Sequence, residues 1–327
     1  MAGGQRQVSG ASGGRHAAVL GHPIGHSLSP ILHRAAYSAL GLDAWRYDAI
    51  DVAQDELAAF VDRLDATWAG LSLTMPLKQT VVPLLDHVEP LAEIVGAVNT
   101  VLVQAGRGRP VLTGANTDVH GIVAAFGEAR RAPGPGDRAT AAVLGAGATA
   151  ASALAALAQL GCSTPVVYVR SLARAGALMR IAHRMGVEPR FAMLSGAADE
   201  LDRVDLVVST LPPHAADGLA RELATVRSGA QPQARPVQAI GPADVATSVP
   251  ADRSVAGVLL DVAYDPRPTA LSVAWASRGG VVVGGERMLL HQAAEQVRLM
   301  TGLSAPLPAM DAALRAALGG GAGTDPS

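Results

Sequence analysis

The chain has 327 residues, 49% of them hydrophobic and 17% charged, which fits two domains with buried cores better than one. Its formal charge of −2 gives no electrostatic footprint for nucleic acid, and its single cysteine, Cys162, excludes an intrachain disulfide and suits a reducing cytoplasm. No run approaches the ~18 apolar residues of a membrane span, and the N-terminus lacks the apolar stretch of a signal peptide. Aromatic residues are only 3% of the chain, so Ala, Val and Leu must do most of the packing. Residues 1–14 and 319–327 are rich in small polar residues and predict disordered tails.

Residues 17–20 predict the first strand. A helix then opens at Ser29-Pro30, with Ser29 able to cap it and Pro30 suited to its first turn. Ile31, Leu32, Ala35, Ala36, Ala39 and Leu40 form its apolar face, and Gly41 ends it. Strands over 45–50 and 68–73 and helices over 54–64 and 78–85 continue the alternation. That order argues for an α/β domain with a mainly parallel sheet. Residues 139–144 read as a buried strand running into Gly145-Ala146-Gly147 and a helix that Gly161 terminates. Strands over 165–169, 206–209 and 258–262, with a helix over 173–185, extend this into a doubly wound nucleotide domain. Residues 226–250 are rich in Pro, Gln, Ala and Ser and read as a long connection. Helices over 286–300 and 309–318 close the chain.

Gly145-Ala146-Gly147-Ala148-Thr149-Ala150 has the GxGxxA form of a dinucleotide turn. Its physics is close backbone approach to a pyrophosphate at an open helix N-terminus. Alone the pattern is weak in a chain with 36 glycines; a strand before, a helix after and a second strand beyond strengthen it. At the end of that second strand an NAD site usually has Asp or Glu for the ribose hydroxyl. Here the sequence is Tyr168-Val169-Arg170-Ser171, with Arg174 one turn on. Two cations and no acid point to a 2′-phosphate, hence NADP(H); the plainer reading is two solvated arginines.

Lys78 follows Pro76 at a predicted helix start, where the positive end of the helix dipole favours giving up its proton. A solvated surface lysine is the ordinary alternative. Asp118 stands where the first domain hands over to the second, a place where polar residues tend to line a cleft; it could equally cap the helix that follows. His22, His26 and His33 do not suggest a metal: Pro23 and Gly25 break helical spacing, and no acidic residue falls between His16 and Asp43.

Six polar motifs occur in one order with domain-sized gaps: GHPIGHSLSP (21–30), LTMPLK (73–78), GAVNT (96–100), GANTD (114–118), GAGATA (145–150) and MLLHQA (288–293). Together they resemble the shikimate dehydrogenase family over residues 17–302. The resemblance implies a substrate domain split into 15–118 and 285–318, with a Rossmann-like NADP-binding domain over 119–284 inserted between the pieces. It implies NADP-dependent, metal-free interconversion of 3-dehydroshikimate and shikimate, with Lys78 and Asp118 as the acid–base pair. It places Ser27 and Ser29 at a carboxylate, and Thr74, Asn99, Tyr264 and Gln292 at ring hydroxyls or the carboxylate. Gly285 also fits its pattern on the cofactor side. A cytoplasmic monomer or homodimer is expected, with no nucleic-acid or membrane partner. Departures from the family are Ser72 where Asn is usual, Arg34 for a common Asn, Ala148 for a frequent Gly, and Val169 for the Asn of NADP-dependent members. They leave open a quinate or aminoshikimate dehydrogenase of the same fold. A non-catalytic nucleotide-binding regulator is the alternative from another class.

Overall fold

The computed structural model describes residues 14–129, 139–201, 203–226 and 257–319. By its internal contacts the chain divides into two units, Met1–Thr117 with Leu289–Ser327, and Asp118–Met288. The expected tails lie outside the described residues except Gly14 and Gly319, as does the expected connection over 226–250 except Val226. Val226 and Gly319 are the last residues of helices.

The first unit begins with β1 (His16–Gly21), α1 (Ser29–Ala39), β2 (Arg46–Asp51), α2 (Leu57–Val61) and β3 (Trp68–Leu73). It continues through α3 (Leu77–Thr80), β4 (His87–Val88), α4 (Pro90–Val95), β5 (Thr100–Gln104) and β6 (Val111–Ala115). The sheet order is β2-β1-β3-β5-β6-β4. β1 runs parallel to β2 and β3, and β4 parallel to β6; only β5 is antiparallel to its neighbours. The β5–β6 hairpin was absent from the sequence reading. Its signal is AGRGRP between two β-prone runs: Gly108 takes φ 96°, and a Cβ on Gly106 would fall 2.1 Å from the Arg109 carbonyl oxygen.

Two helices are shorter than expected. The helix predicted over 78–85 is α3 followed by a 3₁₀ turn, Val82–Leu84. Pro83 has no N–H to give to the carbonyl one turn back, so the α-helix cannot run through it. The helix predicted over 54–64 is confined to Leu57–Val61. Ser29 is the first residue of α1 and does not cap it; its own N–H donates to Ser27 Oγ at 3.3 Å.

The second unit comprises α5 (Asp118–Glu128), β7 (Ala141–Leu144), α6 (Ala148–Gln159), β8 (Val166–Val169), α7 (Gly176–Arg184) and β9 (Arg190–Met193). It goes on with α8 (Ala198–Leu201), β10 (Leu206–Ser209), α9 (Asp217–Val226), β11 (Val258–Asp261), α10 (Ala270–Ser277) and β12 (Val281–Gly284). Helix α11 (Gly285–Thr301) starts in this unit and continues into the first, which α12 (Leu307–Gly319) completes. The order β12-β11-β10-β7-β8-β9 is parallel throughout. Crossovers go one way from β7 to β9 and the other way from β10 to β12, so the switch point lies between β7 and β10. Leu144, Val207, Leu259, Leu271 and Trp275 fill one face of the core, and the Trp275 indole donates to the Gly257 carbonyl at 3.0 Å. The helix predicted over 173–185 begins as a 3₁₀ turn, Leu172–Arg174, before α7. Among the described residues no helix is long and apolar enough to cross a membrane.

Candidate active site

In the first unit the motif segments run side by side through main-chain bonds. The Thr74 N–H donates to the Leu20 carbonyl at 2.9 Å and the His22 N–H to the Met75 carbonyl at 3.1 Å. The Leu73 N–H meets the Asn99 carbonyl and the Val98 N–H meets the Lys78 carbonyl, both at 2.8 Å. Gly21 has no room for a side chain, because a Cβ there would lie 2.4 Å from Thr74 Cγ2. Hence Gly21, Thr74, Lys78 and Asn99 are held by the backbone in one neighbourhood.

Asn99 is 1% exposed and joins this neighbourhood to α11. Its Oδ1 accepts from the Thr117 N–H at 2.8 Å and the Thr100 hydroxyl at 2.9 Å. Its Nδ2 donates to Thr117 Oγ1 at 3.0 Å and to Gln292 Oε1 at 3.1 Å. Asn116, beside Thr117 in the GANTD motif, donates to the Ala97 carbonyl at 2.9 Å. Ser29 is buried, while Ser27, Thr74, Lys78 and Gln292 are half-buried. Lys78 is the second residue of a four-residue helix. In so short a helix the first and last turns coincide, so the dipole reasoning built on a longer helix loses its lever.

His33 and His22 have partners within the first unit. His33 is fully buried, stacks on Tyr47 at a centroid distance of 3.8 Å, and donates from Nδ1 to the Ser29 carbonyl at 2.9 Å. Burial lowers its pKa to about 4, so it is neutral at ordinary pH. His22 lies 2.6 Å from Asp51, a partner contributed by β2, and that carboxylate raises its pKa. No group of three or more His, Cys, Asp or Glu among the described residues is placed to hold a metal ion.

In the second unit the glycine turn joins β7 to α6. Gly145 takes φ 111°, and its N–H donates to the Tyr168 carbonyl at 2.9 Å. A Cβ on Gly145 would lie 2.6 Å from Thr210 Oγ1, whereas the space beside Gly147 is open. Ala146 and Gly147 are exposed, Ala148 and Thr149 half-buried, and Ala150 fully buried against the sheet. The first N–H groups of α6 have no acceptor within the helix. The turn therefore fits a pyrophosphate: an open concave side, main-chain donors, and a small residue where helix meets sheet.

Arg170 is exposed directly after β8, Ser171 is half-buried in extended conformation, and the side chain of Arg174 lies outside the described residues. No acidic residue occupies the end of β8. Gly285 opens α11 under tight packing, since a Cβ there would lie 2.1 Å from the Val262 carbonyl oxygen. Tyr264 is half-buried, and burial followed by the nearby Asp265 charge raises its pKa. The loop carrying it is anchored by Asp261, which is 3% exposed and accepts from Thr269 Oγ1 at 2.6 Å. Burial raises the Asp261 pKa. Asp118 is the first residue of α5 and is 1% exposed.

The sequence reading missed Gln296. It is 2% exposed and donates to Thr100 Oγ1 at 3.0 Å while accepting from Ser72 Oγ at 2.9 Å. Ser72 in turn accepts from the Tyr47 hydroxyl at 2.7 Å. The available signal was spacing: Gln296 stands one helical turn after Gln292, on the same face.

A parallel sheet with an open glycine turn at the end of its first strand defines an α/β protein of the dinucleotide-binding class. Residues 19–101 match the shikimate dehydrogenase substrate binding domain, and residues 285–315 match the shikimate 5′-dehydrogenase C-terminal domain. The NADP(+) shikimate dehydrogenase of Moorella thermoacetica is 34% identical over 318 residues, covering 94% of each chain. Shikimate dehydrogenase of Mycobacterium tuberculosis superposes with a TM-score of 0.74 at 37% identity, covering 92% of this chain and 99% of the other. The Thermus thermophilus enzyme, solved with NADP(H) and shikimate, gives 0.70 at 31% identity, covering 93% of this chain and 99% of its own. The chain belongs to the shikimate dehydrogenase family.

Proposed function

We propose that the chain catalyses the reversible, NADP-dependent reduction of 3-dehydroshikimate to shikimate. The observation that carries this reading is the hydrogen-bonded convergence of the Thr74, Lys78, Asn99 and Gln292 segments in one unit. That unit belongs to a chain with NADP(+) shikimate dehydrogenase relatives over 94% of its length.

NADP(H), when bound, supplies or accepts the hydride. Lys78 gives or takes the proton at the substrate oxygen, and Asp118 acts with it as the second member of the acid–base pair. A lysine cation can also steady negative charge that develops on that oxygen, which makes a metal unnecessary. Ser27 and Ser29 bind the substrate carboxylate. Thr74, Asn99, Gln292 and Tyr264 bind its hydroxyls or carboxylate. The turn Gly145, Ala146, Gly147, Ala148, Thr149 and Ala150 holds the pyrophosphate. Arg170, Ser171 and Arg174 take the 2′-phosphate, and Gly285 lets the start of α11 stay close to that side. Residues 15–118 and 285–318 then serve as the substrate domain and 119–284 as the NADP domain, in a cytoplasmic monomer or homodimer.

The test follows the absorbance of reduced nicotinamide on adding shikimate or quinate with NADP⁺ or NAD⁺. Turnover of shikimate with NADP⁺ is the expected result. Turnover chiefly of quinate, or with NAD⁺, would contradict the substrate or the arginine assignment respectively. Cofactor binding without turnover of either acid would mark a binding protein instead.

A further inference from the structure

Six buried or half-buried polar side chains of the first unit form one unbroken chain: Tyr47, Ser72, Gln296, Thr100, Asn99 and Gln292. Two main-chain groups give it a direction. The Thr117 N–H can only donate, so the Asn99 atom it meets must be Oδ1, at 2.8 Å. Nδ2 of Asn99 then points at Gln292 and takes Oε1 there. The Asn99 carbonyl can only accept, so the Gln296 atom beside it, at 3.4 Å, must be Nε2. Oε1 of Gln296 accordingly accepts from Ser72, whose one hydrogen is thereby used, and Ser72 accepts from Tyr47. Thr100 receives from Gln296 Nε2 and passes its own hydrogen to Asn99 Oδ1. At the end of the chain Gln292 accepts through Oε1, which leaves its Nε2 as the donor end of the side chain.

Gln296 also works through geometry. It bonds to Ser72 on β3 and Thr100 on β5, so it fixes the rotation of α11 against two strands at once. Gln292 projects from the same helix one turn earlier, on the same face. We propose that Gln296, with Ser72 and Thr100 as its anchors, is a positioning residue that holds Gln292 as a hydrogen-bond donor toward an oxygen-rich ligand. This rests on the assignment of Gln292 to shikimate; the polarity of the chain does not.

The experiment compares Gln296→Met, Thr100→Val and Thr100→Ser with the wild-type enzyme. Gln296→Met keeps length and removes both polar ends; Thr100→Val keeps shape and removes the hydroxyl; Thr100→Ser restores it. The expected result is a KM for shikimate raised about tenfold in the first two, the order of one broken buried hydrogen bond. Their kcat and their KM for NADP⁺ stay near wild type, and Thr100→Ser returns the KM for shikimate toward normal. An unchanged KM for shikimate in folded Gln296→Met and Thr100→Val overturns the proposal, as does a parallel fall in every parameter. A readout independent of turnover follows hydrogen exchange of the Asn99 and Gln292 carboxamide protons by NMR. Faster exchange in Gln296→Met supports the chain even if shikimate proves not to be the substrate, and unchanged exchange overturns it.

Discussion

The two units hold their polar groups in different ways. The first buries Ser72, Asn99, Thr100, Thr117 and Gln296, which are linked to one another by hydrogen bonds. The second has a core mostly of Ala, Val and Leu, and its glycine motif is a main-chain turn with an open side. Buried polar groups destabilise unless paired, so a satisfied network specifies one arrangement of donors and acceptors. Such a network suits a small polyol with a fixed pattern of hydroxyls. A glycine turn reads only a phosphate backbone and constrains sequence just where a Cβ would intrude. Side chains should therefore matter most where hydroxyls are read, and backbone freedom where the pyrophosphate is held.

The largest effect is expected at Lys78, the proton-transfer group proposed for the first unit. Lys78→Ala should lower kcat by about 10²–10⁴-fold, the range typical of acid–base groups, with cofactor binding preserved in a direct titration. In the second unit, Gly145→Val forces a β-branched residue to φ 111° with its Cβ 2.6 Å from Thr210 Oγ1. Strain of about 1–3 kcal/mol should appear as a lower unfolding temperature and a raised KM for NADP⁺, with the KM for shikimate retained. Arg170→Ala should weaken NADP⁺ by about tenfold while leaving NAD⁺ unaffected, the size of a lost charge-assisted bond. Equal loss for both cofactors would place Arg170 outside the phosphate site.

The most gradual effect, spread over the pH range, concerns His33. Its pKa is 6.5 in the unfolded chain and about 4 in the folded one. As pH falls the unfolded chain takes up this proton first. The stability associated with neutral His33 is thus complete above pH 6.5 and declines as pH falls toward 4. The decline amounts to at most roughly 3 kcal/mol. His33→Gln should flatten that part of the profile of unfolding free energy against pH; an unchanged slope would assign the acid sensitivity to other groups.

Much of this contrast was legible in the sequence. The strand before GAGATA and the helix after it announce the turn, because β7 is wholly apolar and α6 is rich in alanine. The polar motifs announce the segments that main-chain bonds bring together in the first unit. What escaped was set by tertiary context. Ser29 looks like a cap in isolation, yet the helix already includes it and Ser27 receives its N–H. Ser72 reads as a shortened asparagine, yet it is a two-way hydrogen-bonding link between Tyr47 and Gln296. Gln296 lies outside any motif and gains meaning only when α11 meets β3 and β5. Pro83, by contrast, is a sequence signal that ends the helix around Lys78 early.

The most direct test of the division between side-chain and main-chain recognition is calorimetric titration of Gln292→Ala and Gly145→Val with shikimate alone and NADP⁺ alone. Gln292→Ala should lose about tenfold in shikimate affinity and keep NADP⁺, and Gly145→Val should do the reverse. Folded variants that each lose both ligands equally would show that recognition is not divided between the two units.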